Sequence, residues 1–168
     1  MLLDEKYMHL ALEEARLSLD RGDFPVGCII VHEGEIVARG KRSNSQGDDA
    51  NEMDHAEISA LRRLLNGSPE MDPGRVTVYS TMEPCLMCYT TMLLNGIRRF
   101  VYAYEDVMGG GTTLDLGSLK PLYKEMSVEV VPKVCRAESL AMFKDFFSNP
   151  DYDYWRDSLL AKYTLEQP

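Results

Sequence analysis

His55 and Glu57, with one residue between them, and Cys85 and Cys88, with two between them, are the side chains of this sequence best suited to hold a metal ion and move a proton. One imidazole and two thiolates form a donor set suited to zinc, and three protein ligands leave the fourth tetrahedral position open to water. A closed structural site would need a fourth protein ligand. Cys28 and Cys135 are the remaining cysteines, and each belongs to an apolar run, 26–31 and the stretch ending Val134-Cys135, where a cysteine reads as a small buried hydrophobe. His9 falls in a helix-like segment and His32 beside a turn, which reads as structural or surface placement. An open metal position implies catalysis.

The spacings specify the setting. A C-x-x-C pair directly after Pro84 places both sulfurs on one side of a helix's first turn, where free N–H groups and the helix dipole favour thiolates. Side chains two apart on a helix do not face each other, so Glu57 would reach a water from the side if the helix points its N-terminus at the metal beside His55. By itself a C-x-x-C also fits a redox pair, half of a structural zinc site or two core cysteines, and an H-x-E triplet is weaker still. Together, H-x-E followed by P-C-x-x-C is the arrangement of the zinc deaminases.

The elements that must position these residues alternate between helix and strand. Tyr7, Leu10, Ala11 and Leu17 recur at helical spacing between Asp4 and Asp20. Val26–Val31 and Ile36–Ala38 flank Glu33-Gly34 as a β-hairpin, and the polar stretch Lys41–Met53 reads as a loop. Asp54 is placed to cap a helix running to Asn66-Gly67 with Ile58, Leu61, Leu64 and Leu65 inward. Strands follow at Val76–Tyr79, Arg99–Ala103 and Val128–Val131, with a helix from Cys85 to Asn95 closed by Gly96 and a glycine-rich loop at Gly109, Gly110 and Gly111. Two further helices are expected, Ala137–Phe147 and Tyr152–Tyr163. Strands alternating with helices imply a central sheet covered on both faces.

Composition bounds the rest. A chain of 168 residues that is 45% hydrophobic fits one well-buried core. No stretch approaches membrane-span length, and the N-terminus lacks a basic segment followed by an apolar one, so a cytoplasmic location with no membrane partner is expected. A net charge of −9 works against a polyanionic partner unless basic residues cluster locally.

His55-Ala56-Glu57 and Pro84-Cys85-Leu86-Met87-Cys88, with Phe24-Pro25-Val26-Gly27 before them and Gly96-Ile97-Arg98-Arg99-Phe100-Val101 after, resemble the cytidine and deoxycytidylate deaminase superfamily. Within it the sequence is most similar to the branch of tRNA-adenosine, guanine and yeast-type cytosine deaminases, over about Tyr7–Phe147. The resemblance implies an α/β fold, three-layer α/β/α with a five-stranded mixed sheet, usually assembled as a homodimer. The chain is expected to divide into a zinc-dependent deaminase domain, 1–150, and a C-terminal helical tail, 151–168, which lies outside the matched motifs and packs on the same domain. The resemblance also implies that His55, Cys85 and Cys88 hold Zn2+ and that Glu57 shuttles protons between water, a ring nitrogen and the departing amine. The Ala56 N–H matches a position that hydrogen-bonds the base edge, and Phe24 one that packs against the ring, although a purely structural Phe24 fits as well.

The resemblance departs from the tRNA enzymes at the substrate. They place asparagine two residues after the glycine matching Gly40, where this chain has Arg42, with Asn44 two positions on as the candidate contact. They carry Arg-Asp-x-Lys-Thr-Gly where this chain has Glu105-Asp106-Val107-Met108-Gly109-Gly110, so two basic positions that could meet phosphates are absent. The tail Asp151-Tyr152-Asp153-Tyr154-Trp155 is acidic and aromatic, with Trp155 either closing over a small ligand or anchoring the last helix. The expected substrate is therefore a free nucleobase or nucleoside, with tRNA adenosine deamination as the alternative. A basic groove for tRNA would have to come from Arg42, Arg62, Arg63, Arg98 and Arg99 in a dimer.

Overall fold

The computed structural model describes residues 2–67 and 70–168. Strands β1 (Gly27–His32), β2 (Glu35–Lys41), β3 (Val76–Met82), β4 (Arg99–Tyr104) and β5 (Glu129–Val131) form one sheet in the order β2-β1-β3-β4-β5. β1 runs antiparallel to β2 and β3, whereas β3, β4 and β5 are parallel, which gives the expected mixed sheet. Glu33 and Gly34, at φ 49° and 89°, make the tight turn of the β1–β2 hairpin.

Strand alternation assigns the two outer layers. Cys28, Ile30, Val78 and Phe100 pack on one face with α2 (Ala56–Gly67) and α3 (Leu86–Leu94). Ile29, Val31, Tyr79, Val101 and Ala103 pack on the other with α1 (Leu3–Leu19) and Met142 of α5 (Arg136–Ser148). Short α4 (Pro121–Lys124) joins β4 to β5, and α6 (Leu159–Glu166) lies on α5 with Leu160 and Ala161 buried. No helix among the described residues is long and apolar enough to cross a membrane.

Two glycines set how closely helix and sheet approach. A Cβ on Gly27 would lie 2.1 Å from the carbonyl oxygen of Ala11 in α1, and one on Gly40 would lie 2.1 Å from that of Ala56 in α2. The first turn of α2, which follows His55, therefore rests directly on β2.

Several elements depart from the sequence reading. The inward stripe of α1 is Tyr7, Met8, Ala11, Leu12, Ala15 and Ser18, which a 3.6-residue period joins, while Leu17 falls off it and is exposed. In α2 the buried residues are Ala56, Glu57, Ala60, Leu61 and Leu64, and Leu65 faces out. Asp54 does not cap α2: its carboxylate accepts hydrogen bonds from Asn44 Nδ2 at 2.7 Å and Asn51 Nδ2 at 2.8 Å, tying the loop before the helix. The last helix starts at Leu159, not Tyr152, because Trp155 and Asp157 adopt φ of 54° and 62° and Ser158 Oγ caps the helix by accepting from Ala161 N.

Candidate active site

The two motifs meet at the starts of α2 and α3. The His55 carbonyl accepts from Ser59 N, placing His55 at the opening of α2, and Cys85 is the N-cap of α3 with Pro84 just before it. Cys88 then falls on the first turn of α3. His55 Nδ1 lies 3.6 Å from Cys85 Sγ and 3.5 Å from Cys88 Sγ. For metal–ligand distances of about 2.05 Å to nitrogen and 2.3 Å to sulfur, a tetrahedral zinc requires a nitrogen–sulfur edge of about 3.6 Å. The donor set fits zinc in both chemistry and size.

The protein's own groups prepare part of this set. Hydrogen bonding from Cys88, and then from His55, outweighs burial and pulls Cys85 down to about 4, while the same contact and burial push Cys88 up. Burial opposes the charged form of His55, but hydrogen bonds to Cys85 and Glu52 and the nearby Glu57 charge outweigh it and raise His55 to about 9. Neither Cys28, fully buried in the sheet, nor Cys135, beside His9, joins the cluster.

Glu57 is buried beside the three donors. Its Oε1 accepts from Ser80 Oγ at 2.8 Å, and its Oε2 lies 3.6 Å from Cys88 Sγ. Burial, with the Cys85 charge second, raises its pKa above the ordinary carboxylate value. Ala56 is the first residue of α2, so its N–H has no intrahelical acceptor.

His55, Ala56, Glu57 and Cys85 line one end of a cavity of about 480 Å³, within the range of small-ligand sites. Phe24, Val26, Met82 and Leu160 form apolar walls. Phe24 is both wall and core: its ring sits 5.1 Å from those of Phe143 and Tyr154 and 5.2 Å from Phe146. Trp155 lines the rim at 46% exposure and touches Tyr154 edge-on, so it does not anchor α6; Leu160, Ala161 and the Thr164–Tyr104 hydrogen bond do. Asn44 is not among the lining residues, since its amide is turned to Asp54. Arg42 occupies the wall instead, nearly fully buried, with Nη1 and Nη2 donating to the carbonyls of Ser43 and Asn51.

Residues 1–104, which contain all four motif residues, match the family model of the cytidine and deoxycytidylate deaminase zinc-binding region. The chain belongs to this family. The deaminase is 31% identical over 149 residues to the tRNA-specific adenosine deaminase of Bacillus subtilis, a match covering 88% of this chain and 90% of that one. It is 31% identical over 147 residues to the tRNA-specific adenosine deaminase subunit tad2 of Schizosaccharomyces pombe, covering 85% of this chain but only 36% of that longer protein. A solved structure from a study of A-to-I editing by tRNA:A34 deaminases superposes with a TM-score of 0.66 at 25% identity, covering 82% of this chain and 98% of that one. The guanine deaminase of Nitrosomonas europaea shares the fold alone, at 17% identity, TM-score 0.68, and coverage of 87% and 85%.

This protein is thus a zinc-dependent hydrolytic deaminase acting on C–N bonds, in the tRNA-adenosine branch of its family. The relatives overturn the expectation of a free nucleobase or nucleoside substrate and of tRNA as an improbable partner. That expectation rested on the net charge of −9, on Glu105 and Met108 where basic residues would be expected, and on the acidic aromatic tail. Glu105, taken as a lost phosphate contact, is held by Arg136 through bonds of 2.7–3.1 Å and by Tyr163 at 2.7 Å. Its charge is compensated inside the fold and lies outside the cavity lining. Among the arginines proposed for a basic groove, Arg99 is bound to Asp4 and Glu129, and Arg98 donates to the Leu93 and Ile97 carbonyls.

The sequence reading missed Ser80 and Glu52, took Arg42 only for a departure from the tRNA enzymes and a groove arginine, and gave Tyr154 no role beyond the acidic aromatic tail. Alternation from Val78 puts Ser80 on the same sheet face, toward α2, which could have found the first. The others meet only through long-range loop and tail contacts.

Proposed function

We propose that this chain is a tRNA-specific adenosine deaminase that converts adenosine at the wobble position of a tRNA to inosine. The observation that carries the substrate is the 31% identity to the Bacillus subtilis enzyme of that name across 90% of its length. The geometry supports the chemistry. His55, Cys85 and Cys88 would hold the zinc, which would supply the Lewis acidity that lets water ionise near neutral pH. Glu57, buried and anchored by Ser80, takes one proton from water and delivers it to ring N1, then takes the remaining proton from the new C6 hydroxyl and passes it to the departing amine. A C6–O bond forms, the C6–N bond breaks, and ammonia leaves. The Ala56 N–H donates to the base edge, and Phe24 and Trp155 flank the ring.

A base flipped out of a single-stranded loop enters the apolar cavity while its phosphates stay at the rim, so the acidic whole-chain charge does not bar a tRNA. We assign residues 1–150 to the deaminase domain and 151–168 to a tail that completes the cavity wall through Tyr154, Trp155 and Leu160. A tRNA substrate and a thiolate ligand set support a cytoplasmic location. The exposed leucines 65, 86 and 94 on α2 and α3 support a homodimer.

The test is incubation of the zinc-loaded protein with a tRNA bearing adenosine at the wobble position, followed by sequencing for inosine. Conversion that Glu57→Gln abolishes is expected. No inosine, together with ammonia release from a free base or nucleoside, would sink the proposal.

A further inference from the structure

The zinc-binding histidine of the proposed site is not free to turn. His55 directs Nδ1 at both cysteine sulfurs, and its other nitrogen, Nε2, lies 2.9 Å from Glu52 Oε2. That oxygen accepts the Nε2 proton, which leaves the Nδ1 lone pair for the metal. Glu52 Oε2 is held from two further sides: the Tyr154 hydroxyl donates to it at 3.0 Å, and Arg42 Nη2 stands 3.6 Å away.

Glu52 needs such holding. Its side chain is 59% exposed and lies on a loop, where a lone glutamate samples several rotamers. Tyr154 is fixed where Glu52 is not. Its ring packs edge-on against Phe24 at 5.1 Å and lies over the Arg42 guanidinium at 5.5 Å. The backbone before it is tied down as well, with Asp153 N donating to Gln46 Oε1 at 3.0 Å and Gln46 Nε2 donating to the Gly22 carbonyl.

We propose that Glu52 is a positioning residue for the zinc centre, and that Tyr154, 102 residues further along the chain, acts through Glu52 to orient His55 and retain the metal. The inference rests on the reading of His55 as a zinc ligand. It makes the C-terminal segment part of the metal site's outer shell as well as a cavity wall. Outer-shell partners of a metal-bound histidine typically set about 10–100-fold of metal affinity.

Zinc affinity of the full chain would be measured by competition with a chromophoric chelator for wild type, His55→Ala, Glu52→Ala, Tyr154→Phe and the Glu52→Ala/Tyr154→Phe double variant. The melting temperature of each metal-free protein would be recorded alongside. Glu52→Ala should weaken zinc about 10–100-fold, with a metal-free melting temperature within about 2 °C of wild type. Tyr154→Phe, which keeps the ring packing, should weaken zinc about 3–10-fold, the size of one lost hydrogen bond. The double variant should match Glu52→Ala alone, because Tyr154 acts through Glu52. Wild-type affinity in Glu52→Ala overturns the proposal, and so does wild-type affinity in Tyr154→Phe or a double variant weakened by the product of the single effects. Retention of zinc by His55→Ala would instead refute the ligand reading on which it rests.

Discussion

Among the described residues, two places bring a histidine, a cysteine and a carboxylate together, and they differ in how well they suit a metal. At the starts of α2 and α3, one ring nitrogen of His55 faces both sulfurs and the other meets Glu52. On the opposite face of the sheet, the His9, Cys135 and Glu138 donor atoms also lie within 4.8 Å of one another. There the ring divides its partners: Nδ1 lies 2.7 Å from the Glu5 carbonyl and 3.9 Å from Cys135 Sγ, while Nε2 points at Glu138, 3.8 Å away. The thiols differ in the same sense. Cys85 is pulled down to about 4, whereas burial and the nearby Glu138 and Glu5 push Cys135 up to about 11, so it stays protonated at neutral pH. Proximity of ligand types is not a site; convergence on one point, with the second ring nitrogen held elsewhere, is.

The largest expected contrast comes from breaking the first cluster. Cys88→Ser should lower the zinc content from about one per chain to near zero and abolish deamination, measured by metal analysis and inosine formation. Glu57→Gln should keep the zinc but lose about 10²–10⁴-fold in turnover, which separates the donor set from the proton carrier. A variant retaining more than about a tenth of wild-type rate would remove Glu57 from that role.

Gly40→Ala tests what positions the cluster rather than the cluster itself. The added methyl meets the Ala56 carbonyl, so α2 must shift, and overpacking of this kind costs about 1–3 kcal/mol in denaturant unfolding. His55 and Glu57 move with α2, so activity should fall as well. In Gly67→Ala, at the other end of α2, the Cβ meets nothing within 4 Å, so a loss there equal to that in Gly40→Ala would show that close approach is not the cause.

A smaller effect is expected at Glu105. Burial opposes its charge, but the hydrogen bonds from Arg136 and Tyr163 prevail and pull its pKa down to about 2 from an ordinary 4.5. A depressed folded-state pKa means stabilisation that is complete above 4.5 and lost as pH falls toward 2. The stability difference between wild type and Glu105→Gln should be about 1 kcal/mol at neutral pH and shrink through that window. A difference that stayed constant from neutral pH down to 3 would contradict the assignment. The smallest effect closes the comparison: Cys135→Ser should leave the zinc content unchanged at about one per chain. Loss of zinc in that variant would mean that the second cluster binds metal after all.

The motif residues were legible because each motif is local. His55 and Glu57 share a helix start, as do Cys85 and Cys88, and short spacing fixes their directions once the helix is placed. The hairpin at Glu33-Gly34 and the end of α3 at Gly96, φ 89°, were legible for the same reason. The cavity rim was not. The sequence left Trp155 between closing over a ligand and anchoring the last helix; its positive φ turns the chain at the rim, and Tyr154, which no motif singled out, is the ring packed on Phe24. Asn44 looked like a base contact until the fold turned its amide onto Asp54. The substrate escaped composition because a sum of charges says nothing of where they lie, and Glu105 spends its charge on Arg136.

The distance along the chain between the metal donors and the Tyr154 wall also orders events during synthesis. All three donors have been translated once Cys88 is added, whereas Tyr154 follows 66 residues later and Leu160 later still. At about 5–20 residues per second, the interval is about 3–13 s. During it a nascent chain carries its thiols without the aromatic wall that will cover them and without the hydroxyl that steadies Glu52. Until Tyr154 and Leu160 are in place, the thiols lack that cover against competing metals and oxidants.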